Sequence, residues 1–124
     1  MELPVTKMSR IVMPALTNDA GNLYGGRLLD WMDEVSGIAA KRFAHSEVMT
    51  VGIESIRFIR PIPQGSFIDI NAEVVHVGNT SMKIKITVMM DQDPEEEQVQ
   101  TAEAFFTFVA VDENGKPHKV GRTL

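Results

Sequence analysis

Asp33 is the residue whose type disagrees with its surroundings. Residues 26–44 follow a helical pattern. Placed at ~100° steps, Val35, Leu28, Ala39, Met32, Phe43, Ser36, Leu29 and Ala40 share one arc, and Arg27, Glu34, Asp30 and Lys41 share the opposite one. Asp33 falls at the edge of the apolar arc, beside Leu29, Gly37, Ala40 and Ala44. A carboxylate there is costly unless it is paired or hydrogen-bonded. It either pairs or caps at the sheet margin, or serves as a general base or nucleophile at the mouth of a pocket. Gly37, one turn on, costs about 1 kcal/mol relative to alanine in a helix, which points to a close approach at that place.

Two features precede the helix. Gly25-Gly26 stands where it begins, so unpaired backbone N–H groups there can meet a ligand or a developing oxyanion; a tight turn is the alternative. Asn18 lies in the loop ALTNDAGNLYGG, where asparagine commonly makes a local turn. Other chemistries find little support. No Gly-Lys-Ser/Thr follows the glycines, and no βαβ repeat supports a dinucleotide site. No G-x-S-x-G elbow occurs. His45, His76 and His118 are isolated, without metal-ligand spacing. The absence of cysteine excludes thiolate catalysis, disulfides and cysteine-ligated metals.

These residues need elements to position them. Ser9–Met13 reads as a first strand ended by Pro14, and a helix follows over Gly26–Ala44. Val48–Ile59 is β-branched and stopped by Pro61 and Pro63. Phe67–Val77 and Met82–Met90 alternate with period 2, joined by a turn at Gly78-Asn79. Asp91–Gln98 is an acidic connection, Val99–Val111 the last long strand, and Asp112–Pro117 a turn. One helix and several strands joined by short turns predict an α+β fold with an antiparallel sheet of five or more strands wrapped around one central helix. With 124 residues, 44% of them apolar, the chain suits one domain, residues 1–124. A net charge of −5 argues against general binding to nucleic acid or anionic membrane. No apolar run approaches a membrane span, and a cytoplasmic location is expected.

Asn18, Gly21-Asn22, Gly25-Gly26 and Asp33, in the run T-N-D-A-G-N-L-Y-G-G-R-L-L-D-W-M-D, together resemble the helix signature of hotdog-fold acyl-CoA thioesterases. More narrowly, the chain looks like the bacterial acyl-CoA hydrolases related to brain-type acyl-CoA hydrolase. The likeness continues through V-M-T-V-G-I-E-S-I-R-F-I-R-P-I, G-N-T-S-M-K-I-K-I and A-E-A-F-F-T-F-V-A-V-D-E-N-G-K-P, and so covers most of the chain.

The resemblance implies a hotdog fold and metal-free hydrolysis of acyl-CoA. Asp33 would be general base or nucleophile. Asn18 from the partner subunit would orient water or substrate, and the donors at Gly25 and Gly26 would polarise the carbonyl. It further implies a homo-oligomer, a dimer or a trimer of dimers (a hexamer), with active sites at the dimer interface. Arg57, Arg60, Gly78, Thr80, Ser81 and Lys83 would border the coenzyme A groove. No cofactor beyond the CoA of the substrate is expected. Two rivals remain: a hotdog dehydratase, which would need a histidine near the acid, and a non-catalytic acyl-CoA binding module.

Overall fold

The computed structural model describes residues 5–92 and 97–124, so part of the acidic connection lies outside the described residues. Among them, five strands form one antiparallel sheet: β1 (Thr6–Ile11), β2 (Glu47–Phe58), β3 (Phe67–Val77), β4 (Ser81–Met90) and β5 (Val99–Val111). Their spatial order is β1-β3-β4-β5-β2. The helix α1 (Gly25–Ala44) packs on one face. This is the expected hotdog architecture. The first strand sits three residues earlier than the sequence reading placed it. Arg10 and Ile11 face Ile68 and Phe67 of β3, and after Ile11 the chain turns into a 3-10 turn opened by Pro14.

Period-2 alternation decides which face is buried. Ile68, Ile70, Ala72 and Val74 of β3, Met82, Ile84, Ile86 and Val88 of β4, and Ala102, Ala104, Phe106, Phe108 and Ala110 of β5 all point toward the helix. The helix answers with Leu28, Met32, Val35, Ser36, Ala39, Ala40, Phe43 and Ala44. Alanines in both partners let a helix and a twisted sheet approach closely. Ser36 is fully buried, and it donates its hydroxyl hydrogen bond to the Met32 carbonyl, so it adds no unpaired polar group to the core. His45 ends the helix in the left-handed conformation (φ 53°).

The opposite face of the sheet is polar and half-buried. On it, Asp69 accepts hydrogen bonds from the Ser9 hydroxyl (2.6 Å) and the Gln98 amide (2.9 Å). These bonds, led by the one from Ser9, hold its carboxyl below the usual carboxylate range. A lowered acid stabilises the fold above its unfolded value near pH 4, and that contribution disappears as pH falls through the folded value.

Two outcomes follow. Phe106→Ala, at a fully buried position, should cost about 3–5 kcal/mol in a denaturant titration. Asp69→Asn should flatten the fall in stability below roughly pH 4. A wild-type acid limb retained in full would show that Asp69 does not contribute to it.

Candidate active site

The stripe Gly25, Leu29, Asp33 and Gly37 runs at four-residue spacing along one flank of α1. It faces β2 and the neighbouring end of β5. A Cβ on Gly25 would lie 3.4 Å from the far end of the Phe58 ring, and one on Gly37 would lie 3.7 Å from the Phe108 ring. The close approach expected at Gly37 is therefore an ordinary aromatic contact. Between the two glycines, the Thr50 hydroxyl donates to Asp33 Oδ1 at 2.8 Å. Thr50 pairs with Phe108 across the ladder and so shares its helix-facing side. The bond fixes the carboxylate against the sheet and leaves Oδ2 without a partner among the described residues.

Asp33 is nonetheless exposed in the single chain. The wheel placed it beside core residues, but it faces β2, the edge strand of the sheet, and it is not covered among the described residues. The catalytic reading of Asp33 therefore requires a second surface to exclude water.

Asn18 has a divided role. Its Oδ1 accepts hydrogen bonds from the backbone N–H groups of Ala20 (3.0 Å) and Asn22 (3.1 Å), the local turn its type favours. With the oxygen occupied, the amide orientation is set, and its NH2 group has no acceptor among the described residues. Asn18 and Asp33 do not meet within one chain. Gly25 and Gly26 open α1 after Tyr24, whose side chain makes no cap. Their N–H groups have no backbone acceptor among the described residues. Gly26 faces open space, with nothing within 4 Å of a Cβ there.

The residues expected along a CoA groove are not together. Arg57 and Arg60 lie at the end of β2 that pairs with Ala102 and Glu103, whereas Gly78, Thr80 and Ser81 lie at the end of β5 marked by Val109. Six residues of β5 separate these ends, about 20 Å. Arg57 is paired with Glu103 and Lys83 with Glu54, each at 2.7 Å, on the polar face of the sheet. Lys83 also lies over the Phe105 ring. Arg60 makes no ion pair among the described residues, and it borders a cavity of about 250 Å³ with Leu23, Gly25, Leu28, Phe58, Ile59 and Ile62. Thr80 and Gly78 use their backbone groups to bind Ala110 and Ser81.

Among the described residues no group of three His, Cys, Asp or Glu is placed to hold a metal. His45 caps the far end of α1, His76 lies on β3 and His118 follows β5, so no histidine lies on the Asp33 stripe. Among the described residues no helix is long and apolar enough to cross a membrane.

Sequence reasoning missed Thr50. A hydroxyl on a helix-facing position of an otherwise apolar run, V-M-T-V-G-I, was the available signal.

Comparisons with known proteins agree in kind. Residues 20–97 match the family described as the thioesterase superfamily. An uncharacterized acyl-CoA thioester hydrolase of Haemophilus influenzae is 37% identical, over 95% of this chain and 79% of its own. Among solved structures, an acyl-CoA hydrolase from Staphylococcus aureus, in complex with butyryl coenzyme A, coenzyme A and coenzyme A disulfide, superposes with a TM-score of 0.90. It is 30% identical, over 93% of this chain and 70% of its own. Structures of that protein's alanine mutants at an asparagine, an aspartate and a threonine are also known; the three positions are separated by 15 and 17 residues. The hexameric broad specificity acyl-coenzyme A thioesterase HI0827, as an aspartate-to-alanine mutant, superposes with a TM-score of 0.89. It is 35% identical, over 98% of this chain and 88% of its own.

Asn18→Asp keeps the turn-forming oxygen and removes the NH2 donor, so its melting temperature should stay near wild type. Asn18→Ala removes the oxygen and should cost about 1 kcal/mol. Equal melting of both variants with wild type would show that the turn does not depend on this side chain.

Proposed function

The chain belongs to the thioesterase superfamily, and from that premise we propose that it hydrolyses acyl-CoA thioesters to the free acid and CoA, without a metal ion. The observation that carries this reading is the Thr50–Asp33 hydrogen bond. Asn18, Asp33 and Thr50 are separated by 15 and 17 residues, the spacing of the three positions mutated in the Staphylococcus aureus acyl-CoA hydrolase.

Each residue has a role that its geometry suits. Thr50 holds Oδ1 of Asp33, so Oδ2 is the reactive oxygen. In one route Oδ2 takes a proton from water as the water oxygen attacks the thioester carbon. The C–S bond then breaks, and the sulfur leaves and takes up a proton as the CoA thiol. In the other, Oδ2 itself bonds to the carbonyl carbon and displaces the CoA thiolate, and water then clears the mixed anhydride. Both routes are compatible with the site. The free N–H groups of Gly25 and Gly26 suit the carbonyl oxygen, whose negative charge grows at the transition state. The NH2 of Asn18 suits a water or substrate oxygen.

One chain cannot assemble these parts. Gly25 precedes Asp33 by eight helical residues, about 12 Å. We therefore take Asn18, Gly25 and Gly26 from a second copy, with the active site at the interface. The edge of β2 supports this. It is twelve residues long, has no strand partner on its outer side among the described residues, and exposes Met49, Val51, Ile53, Ile56 and Phe58, and a long apolar edge is a pairing surface. Antiparallel pairing of two β2 edges would also bring Arg60 toward the Gly78–Ser81 turn of the second copy, so that both border one CoA groove. Arg60 is the cation we assign to the CoA phosphates. Arg57 and Lys83 are committed to Glu103 and Glu54, and contribute less. The hexameric structures among the neighbours favour a trimer of such dimers. In this reading residues 1–124 act as one cytoplasmic enzyme domain.

The decisive measurement is thiol release from acetyl- to palmitoyl-CoA. Asp33→Ala should lower kcat by about 100-fold or more. Thr50→Val, which keeps the bulk of the side chain, should lower it roughly tenfold through loss of one hydrogen bond. Both should leave the oligomer intact. Binding of the esters without thiol release by wild type would instead make the chain a binding module and Asp33 a structural acid.

A further inference from the structure

A half-open cavity lies beside the start of α1. Leu23, Leu28, Ile59 and Ile62 give it apolar walls, Arg60 and Pro61 complete its lining, and the Phe58 ring borders it against Gly25. Phe58 pairs with Ala102, whose small side chain leaves the ring nothing to stack on within the sheet. The ring leans instead across the gap to the helix, and its Cζ lies 3.4 Å from the place of a Cβ on Gly25. Phe58 is also 54% exposed in the single chain, so its own chain packs it on one side only, and a second copy paired along β2 would supply the other side. The ring thus forms one wall of the cavity.

We propose that this cavity receives the acyl group and that Phe58 sets which acyl groups fit. The inference rests on the hydrolase reading above. A thioester oxygen held by the free N–H groups of Gly25 and Gly26 places the first carbons of the acyl chain beside Gly25, against the Phe58 ring. The cavity beyond it is about 250 Å³ and opens to solvent at the Arg60 rim; by volume alone it exceeds the roughly 150 Å³ that holds a benzene. The site thus suits a short to medium, uncharged acyl chain; a longer chain must turn the ring aside. Arg60, on the rim, marks the polar end from which the CoA part approaches.

The test is kcat/KM over the series from acetyl- to palmitoyl-CoA for wild type, Phe58→Ala and Phe58→Trp, with melting and oligomer size recorded. Phe58→Ala should raise the ratio of decanoyl- to butyryl-CoA turnover by roughly tenfold, the scale on which an apolar pocket discriminates by size. Phe58→Trp should move the ratio the other way. Should the alanine variant fail to fold, Phe58→Leu gives the same direction with a smaller change. Unchanged chain-length profiles in an active wild type and both variants overturn this proposal alone. No thiol release from any ester by wild type overturns the hydrolase reading and this proposal with it.

Discussion

A twenty-residue helix with a wide apolar face must be covered by a single sheet, and the covering is incomplete on one side. The three central strands contribute thirteen buried side chains to the helix-facing surface. Beyond them the sheet ends at β2, where Ile53 and Phe58 on the same face remain exposed. The flank of α1 turned toward β2 therefore stands between core and solvent. It is the place on the helix where an acid can be held by a hydrogen bond and still be reached. On that flank Gly25 lies against the Phe58 ring and Gly37 against the Phe108 ring.

On the proposed reading, the same incompleteness would connect catalysis to assembly. Burying apolar area stabilises a protein by about 25 cal/mol per Å², and the apolar side chains along the edge of β2 offer such area to a second copy. Covering that edge would also remove water from Asp33, a change that strengthens electrostatic interactions in a site. Stability and reactivity would then draw on one interface. The charged pairs Arg57–Glu103 and Lys83–Glu54 lie on the other face of the sheet. Exposed pairs of this kind contribute little to stability.

Much of this was legible in the chain. Strict alternation in I-D-I-N-A-E-V and M-K-I-K-I-T-V identified β3, β4 and their buried faces, because a strand has only two sides. The helical wheel singled out Asp33, because a charge among small apolar residues is visible without a structure. The turn-forming habit of Asn18 was also foreseen, though not that the turn would take its oxygen and free its NH2 group. Thr50 was missed because hydroxyls are common in strands, and nothing local distinguishes one that faces a helix carboxylate.

By itself the sequence determined the elements, the face each buries, and the identity of the misplaced acid. These depend on residue types at fixed periods along the chain. Only the tertiary structure decided what stands opposite what: Thr50 against Asp33, Phe58 against Gly25, and Arg57–Arg60 at the far end of the sheet from Gly78–Ser81. Those relations depend on strand order, register and the angle at which the helix crosses the sheet, which bring together residues 17 to 33 positions apart. No local pattern encodes such pairings, because they are fixed by how the whole core closes.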